Sequence, residues 1–142
     1  MAVTTNTLQD ILVHAGDFKK VVETNKDAFA GQRVHEYLLQ LCEKYNLHSG
    51  EVIRRANIER TYGCQIFNGT RNPSRDKLLQ LAFGFGLSLE DTQELLKKAG
   101  KSGLYSKIKR DAACIFGLSH QMSVLEMQEL LASIDLPLLG EV

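Results

Sequence analysis

Between Val34 and Gly100 apolar residues return every three or four positions, and each run is closed by a residue that helices use to start or stop. That period lines one face of an amphipathic helix; strands require alternation instead. Val34, Leu38, Leu41, Cys42 and Tyr45 form the first stripe, and Val52, Ile53 and Ala56 mark a short helix from about Ser49 to Ala56. A third helix is expected from about Arg60 to Phe67, ended by Asn68-Gly69 with Gly69 in the left-handed conformation. After the loop Thr70-Arg71-Asn72-Pro73, Ser74 caps a helix through Phe83, and Gly84-Phe85-Gly86-Leu87 breaks it. Ser88 then caps Leu89 to Ala99, and Gly100 stops that helix. Proline occurs only at Pro73 and Pro137, so long stretches can run as uninterrupted helix. The expected fold class is all-α.

The flanks carry the same period. Thr7 to Ala30 reads as two short helices broken at Gly16-Asp17, with Asp17 as an N-cap. Their stripes are Leu8, Ile11 and Leu12, then Phe18, Val21 and Val22. Helices this short are not stable alone and must pack on the centre or on a second copy. Two more helices are expected from about Ser106 to Leu118 and from Ser123 to Ile134. An internal repeat with an offset of 35 residues links this tail to the centre: Arg75-Asp76 recurs as Arg110-Asp111, Ser88 as Ser123, and Gln93-Glu94-Leu95-Leu96 as Gln128-Glu129-Leu130-Leu131. A period of this size fits a repeated helical hairpin, the second copy stacked on the first. The Arg-Asp pairs read as charge contacts at helix starts. The organisation expected is an N-terminal extension over 1–32, a central domain over 33–100, and a C-terminal hairpin over 101–142 packed on the same core.

Several function classes are disfavoured at this level. No apolar run approaches the ~18 residues of a membrane span, and no signal-peptide pattern opens the chain, so a cytoplasmic protein without membrane contact is expected. Cys42, Cys64 and Cys114 are odd in number, and no Cys/His spacing fits zinc; reduced thiols and no metal or other cofactor are expected. His14, His35, His48 and His120 are scattered, and no Ser/His/Asp pattern, phosphate loop or paired acidic motif is present, so an enzyme is not expected. Formal net charge is zero, which by itself points to no polyanion. The charge is unevenly placed, however. Residues 49–77 hold Arg54, Arg55, Arg60, Arg71, Arg75 and Lys77 against Glu51, Glu59 and Asp76, an excess of three positive charges.

The segment from Leu47 to Gly69, continued by Thr70-Arg71-Asn72-Pro73-Ser74 and the later Leu78, Leu81, Ala82, Gly86, Leu87, Ser88 and Leu89, resembles the lambda-repressor-like (Xre/Cro type) helix-turn-helix family. The resemblance covers about half the chain. It implies a lambda-repressor-like core of about five helices, with extra N- and C-terminal helices. Three departures from the family pattern compensate one another. Where the family has a small residue and then a branched apolar one, this chain has Ile53 and Gly63, which keeps the volume of the helix crossing roughly constant. Asn57 stands where the turn usually has Gly, and it is the best other residue for positive φ. Cys42 and Phe67 stand where the family often has an ion pair, a dry replacement.

The resemblance also implies a function. The second helix of such a motif lies in the major groove of double-stranded DNA and reads bases through its N-terminal residues. Carried over by position, Arg60 faces guanine, Gln65 adenine and the Thr61 methyl a thymine methyl, with Cys64 at the groove edge. Ser49 bonds a phosphate at the start of the preceding helix, and Arg71, Asn72 and Ser74 hold phosphates at the start of the next. Glu59 stands where the family prefers Ser or Thr. The chain is thus expected to be a transcriptional regulator acting as a homodimer on paired half-sites, its N- or C-terminal helices free to meet a protein partner. The C-terminal hairpin is the expected dimer contact. The alternative is a helix-turn-helix adaptor or antitoxin-like protein that acts mainly through protein–protein contacts.

Overall fold

The computed structural model describes residues 5–24 and 34–140. Among them are nine α-helices and no strand: α1 (Thr5–His14), α2 (Phe18–Thr24), α3 (Val34–Tyr45), α4 (Ser49–Arg55), α5 (Arg60–Asn68), α6 (Arg75–Phe85), α7 (Leu89–Lys98), α8 (Lys109–Ser119) and α9 (Val124–Ser133). The expected helix up to Ala30, the Val22 side chain and the boundary at residues 32–33 lie outside what is described.

Local chemistry accounts for most helix ends. Ser74, Ser88 and Ser123 each accept a hydrogen bond from the backbone N–H three residues on, capping α6, α7 and α9. Glu126 returns the bond to the Ser123 N–H and completes a capping box. Asp17 accepts from the N–H of Lys19 and Lys20 at the start of α2. Gly69 and Gly86 stop α5 and α6 with φ of 85° and 74°. The turn after α4 places Asn57 at φ 56°, its N–H on the Arg54 carbonyl and the Ile58 N–H on the Ile53 carbonyl. This doubled closure satisfies two of the carbonyls that a helix end leaves over.

Helix α6 runs through Gly84 and Phe85, beyond the expected end at Phe83. Gly84 is there for proximity. A Cβ at this position would lie 2.8 Å from the Val52 carbonyl oxygen and 2.9 Å from the Ala56 nitrogen, so α4 rests directly on the α6 backbone. Every residue from Leu78 to Phe85 is buried, which makes α6 the axis of the core. On one side it meets α3, α4 and, through the tilted ring contact of Phe85 with Phe67, α5; on the other it meets α7 and α9. Tyr45 ties α3 to α7: its hydroxyl donates to Asp91 at 2.6 Å and accepts from the Ser88 N–H at 3.2 Å.

The repeat is realised as two hairpins, α6–α7 and α8–α9, related by exchange. The Arg75 guanidinium binds both oxygens of Asp111 at 3.0 Å, and Arg110 binds both oxygens of Asp76 at 2.9 Å. Each arginine also donates to two carbonyls in the last loop of its own hairpin: Ser102 and Gly103 for Arg75, Pro137 and Leu138 for Arg110. Gln93 clasps the Leu104 backbone through both amide atoms, and Gln128 clasps Leu139 in the same way. Helix α6 packs on α9 and α7 on α8, as a pseudo-two-fold axis between the hairpins requires. The Arg-Asp pairs therefore cross between hairpins, where contacts confined to their own helix starts were expected. Helix α8 begins only at Lys109, after a turn closed by the Ile108 N–H on the Tyr105 carbonyl, while the Tyr105 N–H is held by Asp111.

The C-terminal stripe is covered by the chain itself. Leu118, Val124, Met127 and Leu131 are buried in the common core, Ile115, Leu130 and Ile134 half-buried against it, and Phe116 exposed. Phe116 apart, these residues leave water within the chain itself. At the other end Val21 is buried, while Leu12, Val13 and Phe18 are exposed. Among the described residues no helix is long and apolar enough to cross a membrane.

Candidate nucleic-acid interface

Helix α5 is held by its inner face and open on its outer one. Gly63, Ile66 and Phe67 are buried. A Cβ on Gly63 would lie 2.5 Å from Ile53 Cγ2, 2.7 Å from Cγ1 and 2.9 Å from Cδ1, so the large residue on α4 fills the space the small residue on α5 leaves. Arg60, Thr61 and Cys64 are exposed, and Gln65 is half-buried. These four expected contact residues share the outward side of one helix.

The first turn of α5 is closed by Glu59. Its carboxylate accepts from the N–H of Tyr62 at 2.8 Å and of Thr61 at 2.9 Å, and these bonds, Tyr62 first, hold its pKa below the usual carboxylate range. The amide donors that elsewhere collect phosphate are therefore already occupied. An anion near α5 must be met by side chains.

Those side chains stand beyond the far end of the helix. Arg71, in the loop between α5 and α6, reaches back to donate from Nε to Gln65 Oε1 at 2.9 Å, and its guanidinium lies 4.4 Å from the centre of the Tyr62 ring. Lys77 Nζ approaches the same ring at 5.6 Å. Face contacts of this kind fix a cation in place while leaving its remaining donors free. Gln65 is thus joined to Arg71 through Oε1, which keeps a second acceptor site, and its amide nitrogen is uncommitted.

The remaining expected residues are distributed around this group. Asn72 is exposed in the loop. Ser74 spends its hydroxyl oxygen on the Lys77 N–H, as the α6 cap. Ser49 is the first residue of α4, half-buried, and no hydrogen bond joins it to the others among the described residues. Tyr62 was missed as the ring against which Arg71 and Lys77 both lie. Their separation spans a helix end and a loop, so no helical period marks them.

Charge pairing over 49–77 is one-sided. Glu51 is bound by Arg55 at 2.7 Å, Asp76 by Arg110, and Glu59 by backbone N–H groups. Arg75 is bound to Asp111. Among the described residues Arg54, Arg60, Arg71 and Lys77 have no carboxylate within ion-pair distance. Cys64 is exposed, whereas Cys114 is buried, and burial pushes its thiol up to about 11. No group of three or more His, Cys, Asp or Glu side chains among the described residues is arranged to hold a metal ion. No family model matches the chain, and no curated protein and no solved structure matches it either.

Proposed function

We propose that this chain is a sequence-specific DNA-binding protein of the lambda-repressor-like helix-turn-helix type, a transcriptional regulator that lays α5 in the major groove. The observation that carries the reading is the pattern of unpaired charge. Within 49–77 every carboxylate is engaged inside the protein, while Arg54, Arg60, Arg71 and Lys77 are left for an external anion. Overall neutrality does not oppose this, because affinity for a duplex depends on the cations that meet phosphates. The α4–Asn57–α5 connection supports it, since the closed turn and the Ile53–Gly63 fit leave the outer face of α5 free of packing duty.

The roles then divide by position. Arg60 reads a base edge from the first turn of α5, with the Thr61 methyl beside it and Cys64 at the edge of the contact. Arg71, set on Tyr62, and Asn72 meet the backbone, and Gln65 acts first by holding Arg71. Selection of bound sequences from a random duplex pool, followed by gel-shift titration, tests this. Arg60→Ala should cost about 1–3 kcal/mol on the selected site and relax preference at one base pair. Arg71→Ala should weaken all duplexes alike and lower the salt slope by about one. If no sequence is enriched, or both variants bind like the parent, the reading fails. The outer face of α5 then belongs to a protein partner, as in an adaptor or antitoxin-like role.

A further inference from the structure

From Leu95 to Arg110 the chain holds Lys97, Lys98, Lys101, Lys107, Lys109 and Arg110, and no carboxylate. This excess of six positive charges adds to the three over 49–77, so in a neutral chain the remaining residues carry nine negative charges net. Three of the six cations serve the fold. Arg110 binds Asp76. Lys97 and Lys98 close the last turn of α7, where cations are favoured, and Lys98 lies over the Tyr37 ring. Lys101, Lys107 and Lys109 are exposed, and among the described residues none has a carboxylate within ion-pair distance. Lys109 opens α8, the end at which the helix dipole disfavours a cation.

The repeat supplies an internal control. The segment after α9 follows the same path as the segment after α7. Gly100 and its counterpart Asp135 have φ of 71° and 58°. The Lys101 N–H meets the Leu96 carbonyl at 2.8 Å, and the Leu136 N–H meets the Leu131 carbonyl at 2.9 Å. The arginine and glutamine clasps recur as well. Yet Ala132 to Gly140 contains no lysine or arginine, and Leu136 stands where the first loop has Lys101. The backbone path does not need that cation, so its charge answers to something outside the chain.

Position selects the partner. Arg75, the first residue of α6, donates to the Ser102 and Gly103 carbonyls at 2.9 Å, so the basic loop lies against the start of α6. Arg71 and Asn72 stand in the loop that enters the same helix start. Tyr105, 55% exposed in the basic loop, adds a hydroxyl of the kind that meets phosphate oxygens. We propose that the loop from Lys101 to Lys109 is a second backbone contact for duplex DNA, with Lys101, Lys107 and Lys109 neutralising phosphates beyond those met by Arg71 and Asn72. This rests on the DNA reading and extends its contact outside the helix-turn-helix. Such a contact adds affinity and carries no base preference.

The test titrates the full chain against selected and random-sequence duplexes over a range of salt, as the parent and with Lys101, Lys107 and Lys109 all changed to Gln. At about 0.9 per phosphate contact, the triple variant should have a salt slope shallower by about 2.7 and should bind at least about tenfold more weakly at physiological salt. Its base preference and its thermal transition should match the parent's, since all three side chains are exposed. Lys19→Glu with Lys20→Gln removes the same charge from the exposed face of α2 and should leave the slope unchanged. An unaltered slope in the triple variant overturns the proposal, and so does an equal loss in the α2 control, where net charge alone would be acting. Loss of binding to phosphatidylserine vesicles in place of duplexes would assign the loop to a membrane and overturn it too. Enrichment of one sequence by the parent keeps the DNA reading whatever the triple variant does. Unselective duplex binding that the triple variant loses would keep the loop contact and sink the sequence-specific reading, and a parent that binds no duplex sinks both.

Discussion

Replacing Gly63 probes the crossing of α4 and α5 directly. A Cβ there would come within 2.5–2.9 Å of three Ile53 carbons, against about 3.5–4.0 Å for carbons in contact. The overlap falls on a β-branched side chain on a helix, which has essentially one preferred rotamer and cannot swing aside. Gly63→Val should therefore overpack the crossing by about 1–3 kcal/mol, less a few tenths regained in helix propensity. Ile53→Ala alone should cost about 2–5 kcal/mol, because Ile53 is 3% exposed and its loss leaves a cavity. The two changes together return the same number of side-chain carbons to the crossing. They should destabilise less than the sum of the single changes by more than about 1 kcal/mol. Urea unfolding followed by circular dichroism gives all four corners of the cycle. Coupling below about 0.5 kcal/mol would refute the reasoning, since two residues that share one volume cannot act independently.

Acid should act through Asp76. Its hydrogen bonds from Arg110 hold its pKa below the ordinary carboxylate value, with burial opposing and the Gly140 N–H assisting. A depressed folded pKa means that the unfolded chain binds more protons, so this contribution is complete above the unfolded value of about 3.9 and is lost as pH falls through the folded value. Asp76→Asn should lower stability at neutral pH and flatten the acid limb of a plot of stability against pH; an unchanged limb would show the pairing to be inert. The thiols should separate cleanly. Under native conditions a maleimide should label Cys64 quickly and Cys114 only on unfolding, as mass spectrometry of digested samples would report; equal rates would contradict the burial of Cys114.

The helical period and the caps made α3 to α7 readable nearly to their ends, because Ser74, Ser88 and Gly69 act on neighbours in sequence. The repeat was readable for the same reason. What stayed hidden depended on neighbours in space. Gly84 looked like a breaker, since the chain alone cannot show that α4 needs its missing Cβ. The two Arg-Asp pairs were visible as a repetition, but repetition does not reveal that each arginine finds the aspartate of the other hairpin. In the candidate interface the outward residues of α5 followed from the period, whereas Gln65 on Arg71 and Arg71 on Tyr62 bridge a helix end and a loop. Coverage of the C-terminal stripe was likewise a property of packing, and the sequence could only require that something cover it.

The exchanged arginines bear on how this protein opens. Lifting α8 and α9 away from the rest would break both bidentate ion pairs at once and strip Asp76 of its Gly140 contact. It would also uncover Phe83, which lies against Gly117. The C-terminal hairpin is therefore expected to open together with the core, and backbone amides in α9 should exchange with solvent as slowly as those in α6.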